Sequence, residues 1–174
     1  MVEAAFQMTV EPCAILQAEA WPGSEAALTA ALSRQLGREL PVAFGEVAAA
    51  EGWLAIRVAP RRFWFVADRH LEAPWSIDPA FGCLVALGES RLCLRLAGSR
   101  TFDILAACLA IDWNAPEAQP GRAVQAGFHG VAVMAIRTGP DACDLLVPRS
   151  FARSLGEWLA GVAAPYQHRG VAAA

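Results

Sequence analysis

Residues Arg91–Leu109, RLCLRLAGSRTFDILAACL, change their apolar period in mid-stretch, and that change decides the fold class. Over Arg91–Ala97, Leu92, Leu94 and Leu96 fall on one side and Arg91, Cys93 and Arg95 on the other, the alternation of a half-buried strand. From about Arg100 to Leu109 the period lengthens to that of a helix, with Ile104, Leu105, Cys108 and Leu109 inward, Ser99 at the N-cap and Asp103 in the first turn, where the helix dipole favours an acid. The turn between them, Gly98-Ser99, is too short and too poor in glycine to cradle a dinucleotide, and no GxGxxG or P-loop occurs elsewhere. A plain cap accounts for this turn better than an anion site does.

Upstream, Ala14–Ala20 reads as a strand and Glu25–Leu36 as an amphipathic helix, with Ser24 as cap, Leu28, Leu32 and Leu36 inward, and Gly37 as stop. Trp53–Val58 and Phe63–Val66 are rich in aromatic and β-branched residues and read as a hairpin turning at Pro60-Arg61. Between Ala67 and Phe81 two prolines and no sustained period predict a connection between two halves. Downstream, Phe81–Leu87 opens the second half as a strand. Arg122–Ala126, Val131–Arg137 and Asp144–Val147 supply antiparallel strands. A last helix over Phe151–Val162 takes Ser150 as cap and Phe151, Leu155, Trp158, Leu159 and Val162 as its inward face.

The expected architecture is α+β: two small subdomains, each with an antiparallel or mixed sheet and helices packed on one face, spanning residues 1–80 and 81–166, with a flexible tail over 167–174. The 174 residues are 56% apolar and 18% charged, against averages of ~45–50% and ~25%, so the chain is ordered and some of its apolar surplus is available to a partner. A net charge of −3 and fourteen cations, all arginine and adjacent only at Arg61-Arg62, argue against nucleic acid and anionic membranes as partners. The absence of lysine excludes Schiff-base chemistry. No stretch is long and apolar enough for a transmembrane helix, and five scattered cysteines without a CxxC indicate neither a disulfide framework nor a zinc site, so a cytoplasmic protein is expected.

The search for chemistry ends without catalytic, cofactor-binding or metal-binding residues. His70, His129 and His168 stand far apart, and His129 in the tight turn Gly127–Gly130 reads as a surface histidine. No serine sits in a nucleophile elbow, Cys13, Cys83, Cys93, Cys108 and Cys143 fit small buried hydrophobes, and Asp141 with Asp144 read as solvated carboxylates about a turn. Six tryptophans are the unusual resource: Trp53, Trp64 and Trp158 are expected in the core, while Trp21, Trp75 and Trp113, beside turns or in the connection, are candidate interface anchors.

The stretch LAGSRTFDILAACLAIDW at Leu96–Trp113, followed by GRAVQAGFHGVAVMAIRTGPDACDLLVPRSFARSLGEWLAG, resembles the folate-binding module of the glycine-cleavage T-protein family. More specifically, RSFARSLGEWL at Arg149–Leu159, LGRELP at Leu36–Pro41 and VAPRRFWFVAD at Val58–Asp68 resemble the gamma subunits of heterotetrameric sarcosine oxidases. Where the catalytic T-protein carries paired aspartates in a G-x-x-D-D-x-x-V strand, this chain has Val133 and Met134 after Gly130, so the resemblance does not imply aminomethyl transfer.

The resemblance implies a complex with a large alpha subunit that binds dinucleotide and folate, a beta subunit that carries the substrate-oxidising flavin, and a small zinc-binding subunit. FAD, FMN, NAD and tetrahydrofolate would belong to those partners, and the chain itself would bind none of them and pack as a non-catalytic subunit. The competing reading is a free-standing folate-binding module without aminomethyltransferase activity, its cleft lined by Trp64 and Trp113. The first should expose apolar surface, whereas the second should close around one concave pocket.

Overall fold

The computed structural model describes residues 5–50, 52–67 and 75–167. Its strands and helices run β1 (Gln7–Pro12), β2 (Ala14–Ala20), α1 (Glu25–Leu36), β3 (Val47–Ala50), β4 (Trp53–Ala59), β5 (Arg62–Ala67), β6 (Gly82–Ala86), β7 (Arg91–Ala97), α2 (Thr101–Cys108), β8 (Arg122–Phe128), β9 (Val131–Arg137), β10 (Ala142–Pro148) and α3 (Ala152–Gln167). They form two five-stranded sheets, ordered β3-β4-β5-β2-β6 and β1-β7-β10-β9-β8. The α+β class and the helix-backed sheets are as expected. Of the tail expected from residue 167, Gln167 ends α3, and residues 168–174 lie outside the described residues, as do residues 68–74 of the expected connection.

The division of the chain differs from the expected 80/81 boundary. One compact unit is Pro12–Ser90, and the other joins the described residues of Met1–Glu11 to those of Arg91–Ala174. The strand expected to open the second half, now β6, instead pairs antiparallel with β2, from Leu16↔Ala86 to Ala20↔Gly82. Gly82 permits that pairing, because a Cβ there would collide with the backbone carbonyl of Glu19. The other transposed strand is β1, which the sequence left unread and which forms an edge beside β7. Local pattern announces a strand but not its partner, which is why β6 is expected in the other half, whereas β1 is not read as a strand at all.

In the Pro12–Ser90 unit, α1 begins and ends where its sequence says. Leu28, Leu32 and Leu36 are buried against Ala18 and Ala20 of β2, Ala55 of β4, and Phe63 and Phe65 of β5. Removing three leucines from water contributes on the order of 6 kcal/mol before chain entropy is subtracted. Gly37 closes the helix in the left-handed conformation at φ 62°, but Ser24 makes no side-chain capping bond. The serine that works here is Ser33, whose hydroxyl accepts the Leu40 N–H at 3.2 Å and so turns the chain back after the helix.

In the second unit, α2 and α3 cover one sheet face. Ile104, Leu105, Leu155, Leu159 and Ala163 pack with Leu94 and Leu96 of β7, Val133 and Ala135 of β9, and Leu145 and Val147 of β10. The helix α3 begins one residue later than expected and runs on past Pro165, and a 3-10 turn over Arg149–Phe151 takes in the expected cap Ser150 and the first expected helical residue. Its inward row also differs: Ala152, Leu155, Leu159 and Ala163 are buried, whereas Phe151 and Trp158 are 45% and 52% exposed. At 100° per residue those two rows are about a quarter turn apart, and both are apolar, so period alone could not choose between them.

Arg137, at the end of β9, ties this unit's longest loop to its sheet. Its guanidinium donates to the carbonyl oxygens of Trp113 at 2.9 Å, Ala118 at 3.0 Å, Pro140 at 3.2 Å and Gly139 at 3.3 Å. The same group lies 4.1 Å above the centre of the Phe102 ring. Only a planar fork can serve several carbonyls and one aromatic face together, which is why arginine and not a point-charge ammonium suits this position. Arg137→Met should therefore lower stability by about 2–4 kcal/mol in urea titrations, since charged hydrogen bonds are lost and several carbonyls are left unpartnered. Arg153→Met, at an exposed helix pair with Glu157, should leave the urea midpoint unchanged.

Candidate interaction surface

Most of the side chains that could carry chemistry are placed in the roles of packing or turns. The α2 entry takes Arg100, not Ser99, as its cap residue, without a side-chain capping bond. Arg100 holds Asp103 at 2.7 Å, so a carboxylate already faces that helix end. His129 occupies a two-residue turn between β8 and β9, at φ 49° before Gly130 at φ 79°, the double left-handed geometry that suits a tight hairpin. Its ring meets the Trp158 ring edge-on, with centroids 4.1 Å apart. His70 and His168 lie outside the described residues. Among the described residues no group of three or more His, Cys, Asp and Glu could hold a metal ion.

The two aspartates considered as a pair part company. Asp144 stands opposite Arg95 across β10 and β7 and pairs with it at 3.8 Å, while Asp141 lies in the preceding turn, its backbone carbonyl accepting the Gly98 N–H. Of the adjacent arginines, Arg62 reaches across from β5 to Glu19 of β2 at 2.8 Å. Val133 and Met134 are buried. Cys13, Cys93 and Cys143 are buried free thiols, and Cys83 and Cys108 are half-buried. Burial raises the Cys108 thiol above its ordinary range. It also pushes Cys143, with help from the neighbouring Asp144, up to about 12.

The tryptophans exchange roles. Trp53 is core as expected, and Trp64 is half-buried on β5 with its indole N–H donated to Gln17 Oε1 at 2.9 Å. Trp158, expected in the core, is exposed, while Trp113, expected as an anchor, is buried against Phe102 with ring centroids 5.0 Å apart. Trp75 leans on Trp53 and Phe65, at 5.1 and 4.7 Å. Trp21 remains 45% exposed, its N–H fixed on the Pro79 carbonyl at 2.8 Å. Neither Trp64 nor Trp113, the residues a folate cleft would use, borders the depressions of about 340 Å³ and 570 Å³ in the two units.

What each unit does present is apolar surface held in place. In one, Phe151 at the entry to α3 and Trp158 on its outer face are exposed, and the His129 ring braces the indole. In the other, the loop Pro41–Glu46 exposes Val42 (80%) and Phe44 (58%). That loop is pinned by Glu46, whose Oε2 accepts the N–H groups of Val42 and Ala43 at 3.1 Å each. Arg57 lies 5.7 Å over the Phe44 ring. Aromatic side chains that are exposed yet already ordered lose little entropy on association, which is what anchors at a protein interface require.

Residues 22–165 match the model of the sarcosine oxidase, gamma subunit family. No curated protein matches the chain in sequence. Among solved structures, the chain is similar to a chain of the heterotetrameric sarcosine oxidase from Corynebacterium sp. U-96 in complex with pyrrole 2-carboxylate, with a TM-score of 0.79 and 24% identity over 99% of this chain and 90% of that one. It is also similar to the glycine cleavage system aminomethyltransferase T from Bartonella henselae, with a TM-score of 0.68 and 17% identity over 91% of this chain and 46% of that one. At these identities the two likenesses establish the fold, and this chain spans a little under half of the aminomethyltransferase.

The buried thiol of Cys143 predicts a distinct alkaline response. In the unfolded chain it ionises near 9, whereas in the fold it stays protonated to about 12. Its contribution is complete below pH 9 and is lost as the pH climbs from 9 to 12, by about 1.4 kcal/mol per unit, because only the unfolded state releases the proton. With no lysine and a single tyrosine in the chain, the groups that share this window are chiefly the other four thiols, of which Cys108 is shifted the same way by burial. Urea midpoints measured from pH 8 to 11 should fall, and Cys143→Ala should make the fall shallower.

Proposed function

The chain belongs to the sarcosine oxidase gamma subunit family, and from that membership we propose that it is a non-catalytic subunit of a flavin-dependent oxidoreductase complex acting on sarcosine or a related secondary amine. The family match over residues 22–165 is the observation that carries this reading. The partners are a large alpha subunit and a flavin-bearing beta subunit, and FAD, FMN, NAD and tetrahydrofolate are held by those partners. This chain supplies neither a catalytic group nor a ligand to them. The setting is cytoplasmic; among the described residues no helix is long and apolar enough to cross a membrane.

The physical case for a packing role rests on how the chemistry-bearing residues are used. Buried thiols of raised pKa are poor nucleophiles, a turn histidine braced on an indole is occupied in packing, and Asp144 is matched to Arg95. The ordered aromatic residues at the surface instead suit a fixed, complementary contact. In a heteromeric enzyme such a subunit acts by holding its neighbours in one arrangement, so its effect on turnover passes through assembly.

Affinity capture of the tagged chain from its native host, at low and high salt, tests the proposal. A stoichiometric yellow complex containing flavin-bearing subunits is expected. A colourless chain without partners would overturn the subunit reading and favour the free-standing folate-binding module. Within the complex, Trp158→Ala should weaken assembly by ~30-fold, the size of loss typical of a central aromatic anchor, while the thermal midpoint of the free chain falls by only a few degrees, the cost of losing the contact with His129 from a half-exposed ring.

A further inference from the structure

The sheet order leaves β8 at an edge, and that edge is unusually well formed. Seven consecutive residues, Arg122 to Phe128, pair with β9 in unbroken register, without proline or a bulge. The two-residue turn at His129-Gly130 makes Phe128↔Val131 the closing hydrogen-bonded pair. Counting back by twos, Ala126 and Val124 also bond to β9, so Ala123, Gln125 and Gly127 turn their N–H and C=O groups away from the sheet. Of these three, Gln125 and Gly127 are exposed and Ala123 is buried, so the accessible part of the edge is Gln125–Gly127. Among the described residues, no turn or loop bond takes up those three N–H groups. Natural edge strands are ordinarily blunted by proline, lysine, a bulge or a covering loop; here the 3-10 turn Pro116–Ala118 packs beside β8, and Gln125 and Gly127 are left exposed at the edge.

Beside it lies the depression of about 340 Å³, between β8 and the loop that follows α2. Ile111, Ala118, Val124 and Ala126 give it small apolar walls, and Asp112 and Glu117 give it an acidic lip. Both carboxylates are exposed, and neither makes an ion pair among the described residues; Asp112 Oδ1 accepts only the Asn114 N–H, at 3.0 Å. Charge decides between occupants. A second copy pairing about Gln125 would bring its own Asp112 and Glu117 to the same seam, in a chain already at −3 with no lysine. A segment carrying arginine or lysine meets the lip with opposite charge.

We propose that β8 is completed in the assembled enzyme by strand addition: an extended, Arg- or Lys-bearing segment of a partner subunit lies along Gln125–Gly127, its backbone bonded to the outward groups of those two exposed residues and its cation on Asp112 and Glu117. Main-chain bonds supply affinity in this mode, and alternate side chains entering the depression supply selectivity. The inference rests on the subunit reading above and adds which edge the partner takes and what chemistry that partner segment has.

Amide hydrogen exchange along β8, compared between the free chain and the purified complex, tests it. The Gln125 and Gly127 amides should slow by at least ~100-fold in the complex, because each enters a backbone hydrogen bond shielded from water. Gln125→Pro removes an outward N–H and leaves the bonds to β9 in place, so it should weaken assembly at least tenfold, whereas Gln125→Ala should assemble normally. Asp112→Asn with Glu117→Gln should weaken assembly and flatten its dependence on salt. A complex that forms while these amides exchange as fast as in the free chain overturns this inference and leaves the subunit reading standing; failure of the wild-type chain to form any complex overturns both. Slowing that appears in the free chain as its concentration rises would identify a second copy as the occupant and overturn the proposal as well.

Discussion

The last helix has two apolar rows and one sheet face to lie on, and it lays down the smaller row. Ala152, Leu155, Leu159 and Ala163 settle over β7, β9 and β10. A row containing Phe151 and Trp158 would hold the helix farther from the sheet and leave voids around each ring, at a cost in dispersion contacts and residual cavity. Packing density thus selects the rotation of α3. That rotation puts Trp158 at the surface against His129 and gives this unit its ordered aromatic patch.

The same unit depends on backbone groups being satisfied away from its sheet. The loop after α2 has little regular structure of its own, and it is Arg137 that gathers the carbonyls of Trp113 and Ala118 into one cluster of hydrogen bonds. With that loop held, the wall of the depression beside β8 is held too, because Ala118 is common to both. Gln119 reinforces the arrangement by donating to the carbonyls of Asn114 and Ala115, at 3.1 Å each. Rigid walls beside a free strand edge favour an incoming segment by sparing the entropy of ordering them at the moment of contact.

Elements with strong local signals were legible in the residues. The helix α1 lies between Ser24 and Gly37 as its leucine spacing demands, and the strands β2, β7 and β9 occupy the stretches their alternation marks. Family membership was legible as well, in the motifs of Arg149–Leu159 and Leu96–Trp113. Illegible were β1 and β3, the second of which, Val47–Ala50, is mostly alanine and has little intrinsic preference for a strand. So were the exposure of Trp158, the burial of Trp113 and the role of Arg137, all of which turn on neighbours distant in sequence.

The sequence by itself determined where the strongly patterned helices and strands lie and, through the absence of lysine, that Schiff-base chemistry lacks its residue. It could do so because periodicity, turn glycines and residue types act over a few positions. Only the tertiary structure decided which strand joins which sheet, which of two apolar rows is buried, and which edge is left open. Those choices depend on volumes and hydrogen-bonding partners brought together from distant parts of the chain: Gly82 beside Glu19, Trp158 beside His129, and Arg137 beside Trp113.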